Sequence, residues 1–116
     1  MKKVIQARQA FRIEEALNVL YDHDVKFPLN IGFKLMKIKN EISELNSYVS
    51  SRLVTLIPNL VEDTNSLTNE QIILYNTILD TPIEFDTQDL SEEDIFSNGE
   101  VKTNLKVIDN LTPLFS

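Results

Sequence analysis

The sequence predicts a mainly α-helical protein, built on a long helical hairpin over about residues 4–21 and 28–57. A third helix over 69–80 and a small C-terminal unit complete it, the latter holding a short strand over 82–86 and a last short helix over 103–111. Three observations carry this. Apolar residues recur at steps of four and three through Pro28 to Ile57, which marks one long amphipathic helix. A similar period runs through the preceding segment, where Ala10, Ile13, Leu17 and Leu20 share a face. Between the two, the Asp22-His23-Asp24 sequence and the extended Val25-Lys26-Phe27-Pro28 link break the first helix, because a residue before proline avoids the α region.

Taken in order, the first helix carries Ala16 and Tyr21 beside its main stripe and Phe11 off it, which predicts contact with two neighbours. Pro28 suits the first turn of the long helix, where its missing N–H costs nothing. The stripe there is Ile31, Leu35, Ile38, Ile42, Leu45 and Val49, continued with a small phase shift by Leu53 and Leu56. Lys34, Lys37, Lys39, Glu41 and Glu44 fall off it, as solvated positions should. Phe33 and Met36 also fall off it, which predicts a more widely buried first half. Residues 28–42 are then the buried centre of the fold, and 43–57 project toward a partner. Gly32 weakens the helix by up to about 1 kcal/mol relative to Ala, a cost that close passage of the first helix would explain. Ser43, Ser47, Ser50 and Ser51 dilute helix propensity, and Pro58 ends the helix.

Asn59 to Leu67 is a polar connection. Thr68 with Gln71 three residues on makes a capping box for the third helix, with Leu67 and Ile72 placed as a hydrophobic staple. Its apolar face is Ile72, Tyr75, Ile78 and Leu79, flanked by Ile73 and Leu74, and Thr81-Pro82 stops it. Pro82 to Asp86 alternates apolar and polar, as a short strand does. The best candidate to pair with it is Val101 to Thr103. Leu90 to Ile95 repeats the cap grammar and predicts one short helical turn, and Asn98-Gly99 is a turn signal. Thr103 is placed to cap a last helix carrying Leu105, Ile108 and Leu111. Thr112-Pro113 closes that helix and leaves Leu114 and Phe115 as an apolar tail.

The 116 residues fit one domain, with 1–58 as the hairpin and 59–116 as an acidic part packed on it. Apolar residues make up 42% and charged residues 25%, so the chain is not disordered overall. It has no apolar run of about 18 residues, so no membrane association is expected. Polar residues from Gln6 to Arg12 interrupt any signal-peptide core, which predicts an intracellular protein, in host cytoplasm or a virion. Cysteine is absent, which removes disulfides and thiolate chemistry. The net charge of −7 is unevenly spread. Residues 1–58 hold nine Lys and Arg against six Asp and Glu (net +3), and residues 59–116 hold two against twelve (net −10). Attraction between the two halves explains this more simply than a binding face does.

Sites for chemistry are poorly supported. Asp22-His23-Asp24 puts carboxylates beside the single histidine, but three adjacent residues cannot face one ion on a helix. Neither a second His nor any Cys exists to complete a shell. A solvated helix end accounts for the trio better. The acidic run from Asp86 to Asp94 lacks the ligand spacing and the Gly of a calcium loop, and part of it suits a helix start. The two glycines, Gly32 and Gly99, form no phosphate loop, and no nucleophile elbow surrounds any serine. No catalytic residue, metal or cofactor is therefore assigned, and the chain is read as not an enzyme. The overall charge argues against direct nucleic-acid binding. Conversely, the acids from Asp80 to Glu100 have no Lys or Arg between them, and such a surface can imitate a phosphate backbone toward a basic host protein. A solubilising surface is the plainer reading.

The order of parts resembles a family of small tailed-bacteriophage proteins of unassigned function. An amphipathic helix leads into the Val25-Lys26-Phe27-Pro28 link, and a Lys/Glu-rich helix opens with Ile31-Gly32-Phe33-Lys34-Leu35. The helix from Gln71 to Leu79 runs into the strand Ile83-Glu84-Phe85-Asp86, and a Leu-rich segment with a late Pro closes the chain. The resemblance is one of element pattern across most of the chain. The link departs from the Leu-Pro-Val-Lys order commoner in that family, and the loop after Pro58 looks short. It implies a phage or prophage protein with a helical fold and carries over no catalytic residue. The expected partner is a virion protein or a second copy, alternatively a basic host protein. The candidate contact residues are the apolar Phe33 and Met36, the acidic Glu92, Glu93 and Asp94, and the tail Leu114 and Phe115.

Overall fold

A computed structural model describes residues 2–58, 67–96 and 105–115. The elements are β1 (Lys2–Gln6), α1 (Ala7–Asp22), α2 (Leu29–Leu56), α3 (Asn69–Leu79), β2 (Pro82–Asp86), α4 (Glu92–Phe96) and α5 (Leu105–Leu111), with a final 3-10 turn at Thr112–Leu114. The protein is mainly helical, as the hydrophobic period requires. The 28 residues of α2, at about 1.5 Å each, make a rod of roughly 42 Å. That rod accounts for most of the 47 Å long axis.

The first correction lies at the N-terminus. Residues 2–6 are a strand, and α1 begins at Ala7. The strand β1 pairs antiparallel with β2, with Lys3 opposite Phe85 and Ile5 opposite Ile83. The partner of β2 is therefore β1, while Val101 to Thr103 lies outside the described residues. The backbone N–H of Ala7 donates to Thr81 O at 2.9 Å, which carries the pairing one step past the strand. At the same junction the Gln6 N–H donates to Gln9 Oε1 at 2.9 Å and starts the helix. The alternation in Lys3-Val4-Ile5 is too short to stand out from the helical period that follows it.

Among the described residues, one hydrophobic core joins β1, α1, α2, β2, α4, α5 and the final turn, and α3 contributes no buried residue to it. Ile13, Leu17 and Leu20 of α1 meet Ile31, Leu35, Ile38 and Ile42 of α2, together with Phe85, Ile95, Val107 and Leu111. Helix α1 packs against both α2 and α5, which bears out the expectation of two neighbours. The small buried side chains of Ala7, Ala10 and Ala16 allow the close approach this needs. Helix α1 is thus the centre of the fold.

The stripe on α2 differs in phase from the sequence expectation. It runs Ile31, Leu35, Ile38, Ile42, Asn46 and Leu53, because an α-helix of 3.6 residues per turn drifts from a strict seven-residue repeat. Leu45 and Val49 are half-buried at its edge, and Leu56 is exposed. Pro28 precedes the helix as its N-cap residue. At Gly32 an added Cβ would meet nothing within 4 Å, so no close helix passage requires glycine there. In the last helix the buried residues are Val107 and Leu111, and Leu105 is 79% exposed. The Asn98-Gly99 turn, the Thr103 cap and most of the 59–67 connection fall outside the described residues.

Candidate interaction surface

The candidate residues fall in three places. Phe33 and Met36 lie on the outer face of α2 and are 60% and 45% exposed. They do not widen the buried half of the helix, as their position off the stripe had suggested; with Leu29, 73% exposed, they form an apolar strip in water. The inward side chains Ile31 and Leu35 already fill the space against α1, which leaves no core for the opposite side to enter. Exposed apolar side chains are therefore not confined to the second half of α2: the first half carries Leu29, Phe33 and Met36, and the second carries Tyr48, Val54 and Leu56.

The acidic group sits in the first turn of α4. Glu92 and Glu93 are exposed, and Asp94 is half-buried. Asp94 is used locally. Its carboxylate accepts the Ser91 N–H at 3.0 Å, while its own N–H donates to Ser91 Oγ at 3.3 Å, a reciprocal cap like the Thr68–Gln71 box on α3. Two other acids of this segment also have structural partners. Asp80 accepts from Arg8 at 2.7 Å, and this ion pair links the basic half to the acidic half as the charge partition suggested. Asp86 accepts the Gln88 backbone N–H at 2.8 Å. That bond holds its carboxyl below the ordinary value of 3.8, and Lys2 adds a smaller effect in the same direction.

Leu114 and Phe115 are not a free tail. Leu114 is fully buried, Phe115 is 7% exposed, and both belong to the core. The Phe115 ring meets Phe96 edge-on with centroids 5.2 Å apart, and its carbonyl accepts from Lys3 Nζ at 2.7 Å. The turn at Thr112–Leu114 folds the segment inward. Its burial beside Ile95 and Phe96 joins the C-terminus to α4.

The Asp22-His23-Asp24 trio reverses the chain. His23 is the C-cap of α1, and Asp24 takes a left-handed conformation with φ of 50°. The Val25 N–H donates back to Leu20 O at 3.1 Å, closing a Schellman-type cap. Among the described residues, no three His, Asp or Glu side chains are placed to hold a metal ion. Also among them, no helix is long and apolar enough to cross a membrane.

Sequence reasoning missed an apolar groove at the closed end of the hairpin, beside the link that joins α1 to α2. Its volume is about 150 Å³, and Leu20, Tyr21, Val25, Phe27 and Met36 are among its lining residues. Lys39 Nζ stands 4.1 Å from the centre of the Tyr21 ring at its edge. The signal was available in Tyr21, Phe27 and Met36, apolar residues off both main stripes, but nothing in their spacing shows that they meet. Groove and strip together offer apolar contact area with a cation on an aromatic face. Such a surface suits protein contact better than proton transfer. The chain matches no protein-family model, no curated protein and no solved structure.

Proposed function

We propose that this chain is a non-catalytic bacteriophage protein that acts by protein–protein contact, as a virion structural or assembly component. The observation that carries the contact role is the exposed strip Leu29, Phe33 and Met36 on the outer face of α2, continuous through Met36 with the apolar groove. Leaving large side chains together in water has a cost that burial against a partner removes. The phage assignment is supported by the order of elements, with the short link before a long Lys/Glu-rich helix and the strand that follows α3. The acidic segment supports a host-directed role less well, because Asp80, Asp86 and Asp94 all have partners within the fold. Mass spectrometry of purified particles tests the proposal. A component is expected at a constant copy number per particle, or in assembly intermediates. Its absence from both, with the protein present in infected cells, would contradict the proposal.

A further inference from the structure

The outer face of α2 carries a second four-three repeat, opposite the buried stripe. It begins with the large residues Leu29, Phe33 and Met36. It continues through the small polar Asn40, Ser43, Ser47 and Ser50, and closes on Val54. All of these positions are exposed, and Val54 is 47% so. Around Asn40, Ser43, Glu44 and Ser47 the surface dips into a shallow depression of about 550 Å³. One end of the seam is thus all projections and the middle is a hollow.

We infer that two copies of this chain pair through this seam, with their α2 helices antiparallel about a two-fold axis near Asn40 and Ser43. The inference rests on the contact role proposed above and names the partner. In this orientation large side chains meet small ones: placing Leu29 of one copy against Val54 of the other puts Met36 opposite Ser47 and Phe33 opposite Ser50, while Asn40 meets Ser43 at the axis. The same register brings Lys37, exposed on the flank of the seam, beside Glu44 of the second copy, and the symmetry makes this contact twice. A parallel pair would set serine on serine and leave Phe33 stacked on its own copy. The buried stripe on the far side of α2 keeps each copy's body away from the axis.

Sedimentation equilibrium of the full chain, from about 10 µM to about 1 mM, tests the pairing. The mass is expected to rise from 13.3 kDa toward twice that value. Phe33→Ser should abolish the rise. Lys37→Glu and Glu44→Lys should each weaken it by about tenfold or more, and the chain carrying both exchanges should regain most of the parent affinity. All three positions of change are exposed, and circular dichroism verifies that each variant keeps its helices. A parent chain that stays monomeric at every concentration overturns the pairing. A dimer indifferent to Phe33→Ser, or a double exchange no tighter than the single ones, overturns it as well. None of these results depends on whether particles contain the protein, which the mass-spectrometric experiment decides separately.

Discussion

At the scale of single residues, two positions in α2 behave differently from their residue types. Gly32 sits inside a helix, has negative φ and faces open space where a Cβ would stand. Gly32→Ala is therefore expected to raise stability by up to about 1 kcal/mol, read from urea denaturation. A loss would show that the groove beside it is tighter than its open lining indicates. Asn46 is the converse case. It is 2% exposed, and its Nδ2 donates to the Ala10 carbonyl at 3.1 Å, while its Oδ1 has no hydrogen-bond partner. An unpaired buried acceptor costs about 1–3 kcal/mol. Asn46→Leu, in a stripe that is otherwise apolar, should leave stability unchanged or raise it by about 1 kcal/mol. A fall of more than about 1 kcal/mol in the same measurement would mean that the Asn46 bond to α1 contributes more than the orphaned oxygen costs. The sequence hid this residue because the four-three period points to Leu45, its half-buried neighbour.

At the scale of elements, the helices were legible and the sheet was half legible. The capping box at Thr68 and Gln71, the Pro28 boundary and the Pro82 stop are local signals, and each forms from residues within a few positions. The pairing of Lys2–Gln6 with Pro82–Asp86 joins segments about 80 positions apart, and no local pattern encodes such a partner. The same holds for Leu114 and Phe115, whose burial depends on α4 and Lys3 coming to meet them. Phe85 shows what the sheet contributes. It is the one fully buried residue of β2 and stands opposite Lys3. Phe85→Ala should cost about 3–5 kcal/mol in denaturant unfolding. A cost under about 1 kcal/mol would mean that the small sheet is not part of the cooperative core.

At the scale of the whole molecule, α2 joins the core and the proposed contact surface. Its inner face belongs to the hairpin and was legible from periodicity. Its outer face was legible as a set of residues, Phe33 and Met36 among them, but their exposure was not, because a helix with apolar residues on two sides can be buried on both. What decides is how much of the chain remains to cover it, and that depends on how α1 and α5 pack. The division of charge is partly spent in the same packing, through Arg8 and Asp80. The central claim is that the outer face of α2 acts and that the fold does not need it. Under the proposed phage role, complementation of a phage lacking the gene with Phe33→Ser/Met36→Ser tests this most directly, with the purified variant melted beside the parent. The expected result is an unchanged melting temperature together with loss of infectious particles. Full particle yield from a normally folded variant would contradict the claim.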